Sequence, residues 1–247
     1  MNVRSPSPAL DAALACPVPV ALGGRLASFG AVRGGAARFT AEVSPFGGLP
    51  AEPGPGDWAD LAALCGPGAL VVLVRAGDTP PEPPAGWALE RPFPGVQMEG
   101  SGLRTEPYPG AVALGPDDHA EMAELAGRTR PGPWLARTAE LGGFLGVRDV
   151  AGDGRLVAMA GERMRVQAPD GSRATEISAV CTDPAWRGRG LAGALVRAVA
   201  HAVVERGELP VLHAAEDNEN AIRLYRAMGF TLHRPMRFDQ LRTPAAR

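Results

Sequence analysis

Hydrophobic and polar positions follow a changing period along the second half of the chain. From Leu191 to Arg206 the apolar residues Leu191, Leu195, Val199 and Val203 recur every four positions. That is the single buried stripe of an α-helix, and Gly207 supplies its C-terminal cap. Ahead of it, Val147 to Val150, Arg155 to Met164 and Thr175 to Thr182 read as three strands. The turn sequences Gly152-Asp153-Gly154 and Pro169-Asp170-Gly171 part them. Val211 to Ala214 is a short buried strand behind Pro210, and Asn218 to Met228 is a helix stopped by Gly229. Phe230 to Phe238 is a last strand, in which Pro235 predicts a bulge or an edge. Further upstream, Ala111 to Leu114 is a strand. Pro116-Asp117-Asp118 opens a helix running to about Gly127, because proline has no donor to lose there and acids suit the positive end of the dipole. Trp134 to Leu145, apolar at Leu135, Leu141 and Leu145, predicts one more helix.

The first half is patterned less regularly. Asp57 to Leu64 reads as a helix with Asp57 at its N-cap and Trp58, Leu61 and Leu64 inward. Ala69 to Val74 is a buried strand, Pro80 to Pro84 marks a loop, and Ala51 to Gly56 is expected to be flexible. The run Arg104-Thr-Glu-Pro-Tyr-Pro-Gly110 denies both helix and ladder, so a boundary is placed there. It divides an N-terminal α/β region, residues 1–107, from a second unit, 108–247. The alternation gives an α/β (α+β) class, and the N-terminal region, with a helix and a few strands, has the coarse order of a reduced copy of the same layout. No repeat of solenoid period is present.

Composition narrows the partners. The chain has 247 residues, 45% of them hydrophobic and 21% charged, with a net charge of −2. Near neutrality removes the electrostatic case for nucleic acid. No apolar run is long enough to span a bilayer, and Asp11, Pro17 and Pro19 interrupt any secretory leader. The three cysteines, Cys16, Cys65 and Cys181, have no metal-ligand spacing and form no disulfide framework. A reducing, cytoplasmic compartment without a bound metal is the simplest reading.

The densest chemistry lies in Arg187-Gly188-Arg189-Gly190-Leu191-Ala192, a glycine-bearing turn that opens a helix directly after a strand. Such a turn presents unpaired backbone N–H groups and the positive end of the helix dipole to one point, which suits a phosphate. Arg187 and Arg189 add guanidinium charge beside it.

Taken with the strand Thr175–Thr182, the segment Glu216 to Ala221 and the run Ala221-Ile-Arg-Leu-Tyr225-Arg-Ala-Met-Gly-Phe230, this turn resembles the GCN5-related N-acetyltransferase (GNAT) superfamily. The variant it resembles has an FR47-like C-terminal domain, and the likeness covers about residues 111 to 238. It implies a GNAT fold, a mixed central sheet flanked by helices; that the N-terminal region is a degenerate GNAT-like half is an expectation from its coarse element order alone. It implies acetyl-CoA as donor and an amine as acceptor. Backbone N–H groups of Gly188, Arg189, Gly190, Leu191 and Ala192 are then expected to grip the pyrophosphate, with Arg187 at the first motif position. Val180, Cys181 and Thr182 are expected to pair with the pantetheine amides, and Asn218 to bond the same arm. Tyr225 is expected to protonate the leaving thiolate, a task within reach of a single hydrogen-bond donor. Glu176 stands where several relatives keep a base for the amine, and a half-buried carboxylate there would have its pKa raised.

Duller roles compete. Glu176 could instead pair with Arg163 or Arg165 on the preceding strand, Tyr225 could be a core aromatic, and Asn218 could simply cap its helix. Cys181 reads as a small buried hydrophobe, since no His/Asp pair accompanies it to make a nucleophile. His213 and His233 could line an acceptor site or serve structure, and Trp134 could roof that site. Two functions therefore stand: an N-acyltransferase working by direct transfer to a small amine or amino acid, and a catalytically inactive GNAT-like module that binds coenzyme A or a protein. The last strand could exchange or pair between subunits to make a homodimer.

Overall fold

Strand alternation decides which face each segment buries, and in this chain it builds one sheet with helices on both sides. The computed structural model describes residues 5–246. Its elements are α1 (Pro8–Ala15), α2 (Pro17–Leu22), β1 (Gly30–Arg33), β2 (Ala36–Phe39), β3 (Phe46–Gly48), α3 (Pro55–Cys65), β4 (Leu70–Ala76), β5 (Ala88–Arg91) and β6 (Pro94–Glu99). There follow β7 (Val112–Leu114), α4 (His119–Thr129), β8 (Phe144–Arg148), β9 (Leu156–Gln167), β10 (Arg173–Thr182), α5 (Leu191–Glu205), β11 (Leu209–Ala215), α6 (Glu219–Met228) and β12 (Thr231–Arg242).

The strands form a mixed sheet in the order β1-β2-β3-β4-β12-β6-β11-β10-β9-β8-β7, with β5 alongside β12. On one face, Leu195, Val196 and Val199 of α5 and Tyr225 and Met228 of α6 pack on Val157, Ile177, Leu212 and Met98. On the other, α1 covers Val166, Ala174 and Val211, α2 covers Phe39, Val74 and Met236, and α4 covers Met159 and Cys181.

The connection at residues 104–110 is irregular, and the sheet continues across it. β6, from the N-terminal region, lies between β11 and β12 and pairs antiparallel with both. β12 in turn pairs with β4. The last strand is therefore interior, and the free ends of the sheet are β1 and β7. Pro235 sits where β12 changes partner: pairing to β6 covers Thr231–Arg237, pairing to β4 begins at Met236, and the bulge lies between Leu232 and Arg234. One neighbour at that position leaves room for a residue without a donor.

Four expectations differ. No α-helix forms over Trp134–Leu145; a short 3-10 turn at Thr138–Leu141 is followed by β8. Gly142 explains the change. Its backbone is extended, and a Cβ there would lie 2.7 Å from the Glu162 Cβ on β9, so the chain enters the sheet at this point. The strand expected at Val147–Val150 accordingly occurs earlier, at Phe144–Arg148, and Val150 is exposed in the following turn. Asp57 is not the N-cap of α3 but its third residue, where its carboxylate accepts the Gly54 N–H at 2.8 Å. Pro55 and Gly56, expected within a flexible run over Ala51–Gly56, belong to α3.

Candidate active site

The site begins where two parallel strands part. β10 and β11 pair from Ala174↔Leu209 to Ile177↔Leu212 and no further, although β10 continues to Thr182 and β11 to Ala215. Beyond that rung β10 still pairs with β9, and β11 with β6. The edge of β10 facing β11 is therefore open over residues 178–182. A β-bulge falls in the same stretch: Ser178 faces Gly161, Cys181 faces Met159, and Ala179 takes φ +53°. The extra residue breaks the ladder and turns the strand.

The turn after β10 is built for its conformation. Asp183 caps a short 3-10 turn by accepting the Ala185 N–H at 3.0 Å, and Arg128 steadies that carboxylate at 3.3 Å. Gly188 and Gly190 have φ of +77° and +76°, and a Cβ on either would meet nothing within 4 Å. Glycine is required here for the left-handed backbone rather than for space. Gly190 is the N-cap of α5 and has no side chain to satisfy the helix. The first intrahelical bond runs from Ala194 N–H to the Gly190 carbonyl, so the N–H groups of Leu191, Ala192 and Gly193 have no partner within the helix.

Turn and open edge share one cleft of about 400 Å³. Of the residues singled out from sequence, Val180, Cys181, Thr182, Arg187, Gly188, Gly190, Leu191, Ala192 and Tyr225 line it. Tyr225 is buried, stands edge-on to Phe230 at 5.9 Å, and burial pushes its hydroxyl up to about 12. It thus carries its proton at neutral pH. The Thr182 Oγ1 is buried without a hydrogen-bond partner, and burial raises the Cys181 thiol, which keeps it protonated. Two of the residues singled out from sequence, Arg189 and Asn218, are not among the cleft's lining. The Arg189 guanidinium stacks 4.3 Å from the centre of the Trp186 ring. The Asn218 Oδ1 accepts the Ala221 N–H at 3.1 Å and caps α6. Thr129 and Pro131, at the end of α4, also line the cleft, and nothing in their local sequence marks them.

Glu176 differs most from expectation. It is 1% exposed rather than half-buried. Both its oxygens are taken by Arg163, at 2.7 and 3.1 Å, and Oε1 also meets His213 Nδ1 at 2.8 Å. Burial alone would raise this carboxyl; the Arg163 charge and the hydrogen bonds from Arg163 and His213 outweigh it and hold the group well below the usual carboxylate range. Arg165 pairs with Glu162 instead. A β9 bulge opposite Glu176 brings Arg163 round to it. Trp134 packs edge-on against Phe144 at 5.6 Å, and His233 lies 2.9 Å from Asp11 of α1.

Known proteins share this fold. Residues 146–238 match the model of FR47-like protein. A solved structure from Novosphingobium aromaticivorans, assigned as an acetyltransferase from the GNAT family, is 40% identical over 94% of this chain and 99% of its own, with a TM-score of 0.81. The chain belongs to the GNAT family. A GCN5-related N-acetyltransferase from Kribbella flavida shares the fold at 19% identity, covering 90% of this chain and 95% of its own, with a TM-score of 0.54. None of the curated proteins matches the chain. Family membership makes this GNAT chain an enzyme of the acyltransferase class. Among the described residues, no helix is long and apolar enough to cross a membrane and no cluster of side chains could hold a metal ion.

Proposed function

We propose that this GNAT protein moves the acetyl group of acetyl-CoA to the primary amine of a small molecule or amino acid, by direct transfer in a ternary complex. One observation carries the reading: a single cleft joins the uncapped start of α5 to the open edge of β10 and ends at Tyr225. The free N–H groups of Leu191, Ala192 and Gly193 and the helix dipole suit a pyrophosphate, and Arg187 adds charge. The vacant strand edge at 178–182 suits an extended arm carrying amides. The orphaned Thr182 hydroxyl adds one polar contact to the same wall.

In the reaction the neutral amine forms a C–N bond to the thioester carbonyl carbon and the C–S bond breaks. Tyr225 gives its proton to the departing sulfur, and the proton lost by the amine passes to water. We assign no base role to Glu176, because a carboxylate held well below its ordinary range by a bidentate guanidinium accepts protons poorly. A small acceptor is favoured because the near-neutral chain has no acidic or basic tract for a protein partner, and its unpaired cysteines fit action in the cytoplasm.

The second reading, a coenzyme A-binding module without catalysis, draws on the absence of any carboxylate or imidazole among the described residues lining the cleft. Calorimetric titration with acetyl-CoA tests the donor site. Wild type is expected to bind and Gly190→Glu to lose binding, because the new carboxylate would occupy the anion position on a backbone with φ +76°. Equal binding by both proteins counts against the site. Thiol release above background with some member of an amine panel separates the enzyme from the silent module.

A further inference from the structure

The ion pair that removes Glu176 from base chemistry is part of a longer row. Gln97 on β6 is fully buried, and its Nε2 lies 3.1 Å from the Leu14 carbonyl of α1 and 3.0 Å from His213 Nε2. A carbonyl only accepts, so the amide nitrogen must face Leu14. Its second hydrogen then points at His213 Nε2, which must accept. The imidazole proton is thereby fixed on Nδ1, where it donates to Glu176 Oε1, itself an acceptor only. Turning the amide over would set oxygen against the Leu14 carbonyl. It would also bury two unpaired donors where one acceptor, Gln97 Oε1, is now unpaired. Both ends of the row assign the same tautomer to a neutral imidazole. The Phe238 ring closes over it edge-on, with ring centres 5.3 Å apart.

The position of this bond gives it a task. Glu176 lies one rung before the last β10–β11 pair, Ile177↔Leu212, and His213 one residue after it. The bond therefore bridges the two strands at the point where they separate. Arg163 anchors the β10 end from β9, and the N-terminal region, through Gln97 and Leu14, anchors the β11 end. We propose that the Glu176–His213 bond is a clamp that sets how far β10 and β11 part, so that His213 is a positioning residue for the donor cleft although it lies outside the cleft lining. The proposal rests on the acetyl-CoA reading above. It also gives the N-terminal region a part in donor affinity.

Two side chains separate the bond from mere bulk. Asn places an N–H near the imidazole Nδ1 position, whereas Gln reaches the Nε2 position. In calorimetric titrations with acetyl-CoA, His213→Asn is expected to bind within about threefold of wild type. His213→Gln and His213→Leu are expected to bind about tenfold more weakly, the scale of one lost hydrogen bond to a charged group. Melting temperatures of the three variants are compared so that folding losses are visible. Nitrogen-15 spectra of the ligand-free wild type, which need no variant, are expected to give the neutral Nδ1–H form of His213. An Nε2–H tautomer near neutral pH, or His213→Gln binding as well as His213→Asn, overturns the clamp while the donor reading stands. A wild type that binds no acetyl-CoA overturns the donor reading and the clamp with it.

Discussion

At the scale of single residues, burial assigns opposite duties to two titratable groups. Tyr225 has no counter-charge, so burial raises it to about 12 and it keeps its proton through any practical assay. Tyr225→Phe is expected to lower kcat about a hundredfold, within the usual worth of a general acid, and to leave acetyl-CoA affinity nearly unchanged. Rapid-mixing turnover beside equilibrium titration reads the two effects separately; a parallel loss of affinity would make Tyr225 a packing residue. Glu176 is the reverse case. Its folded pKa is depressed, so its stabilising contribution is present above its unfolded value and is lost as pH falls toward the folded one. Arg163→Met leaves the carboxylate buried without its main partner and should cost about 3–5 kcal/mol at neutral pH. Burial then prevails and raises the carboxyl, so the deficit relative to wild type should shrink as pH drops to about 5. Urea unfolding at both pH values checks this, and a deficit independent of pH would show that Arg163 acts by packing alone, for instance through Phe46, whose ring centre lies 4.8 Å from its guanidinium.

At the scale of elements, the bulge in β10 is held against a local cost. Ala179 is one of two non-glycine residues with positive φ among those described. An L-residue there is disfavoured by roughly 1 kcal/mol, which glycine would not incur. Ala179→Gly should therefore raise the melting temperature slightly or leave it unchanged, and Ala179→Val should lower it by several degrees, since branching at Cβ tightens the same clash. Thermal melts of the pair test whether the bulge is maintained by its neighbours. This feature also marks the limit of the sequence. α5, α6 and the glycine turn were legible because each rests on local rules: a four-residue stripe, an asparagine cap, and glycines at a helix start. The bulges in β9 and β10 are choices of register between strands, and no single strand encodes its register. Arg163 was therefore only one of two candidates for Glu176, and the helix expected at Trp134–Leu145 was lost to Gly142 docking on Glu162, a contact twenty residues away in sequence.

At the scale of the whole molecule, the same limit hid the way the two regions are joined. Two prolines and a glycine at residues 104–110 suggest a boundary, and the connection there is irregular, yet the sheet runs across it. The partner of each strand was not readable, because β6 and β12 pair across more than a hundred residues. We infer that residues 1–107 and 108–247 fold as one cooperative unit despite the linker-like run between them. Without β6, β11 and β12 each lose the neighbour that satisfies one side of their backbone, and Met98 and Val96 leave the core that holds α5 and α6. Two adjacent strands with unpaired inner edges are an invitation to aggregation. A chain of residues 108–247 alone should thus be insoluble or lack a cooperative melt. Mixed with residues 1–103, it should recover both the melt and acetyl-CoA binding, since strand addition restores the same ladder. The loop between the fragments supplies no rung of the sheet, so cutting there should cost mainly the entropy of association. A soluble 108–247 fragment that melts cooperatively and binds acetyl-CoA unaided would mean that the N-terminal strand is an accessory to this GNAT fold. Failure of the fragment together with rescue by its complement would mean that the sheet, and the opening between β10 and β11 that depends on it, is the property of both halves.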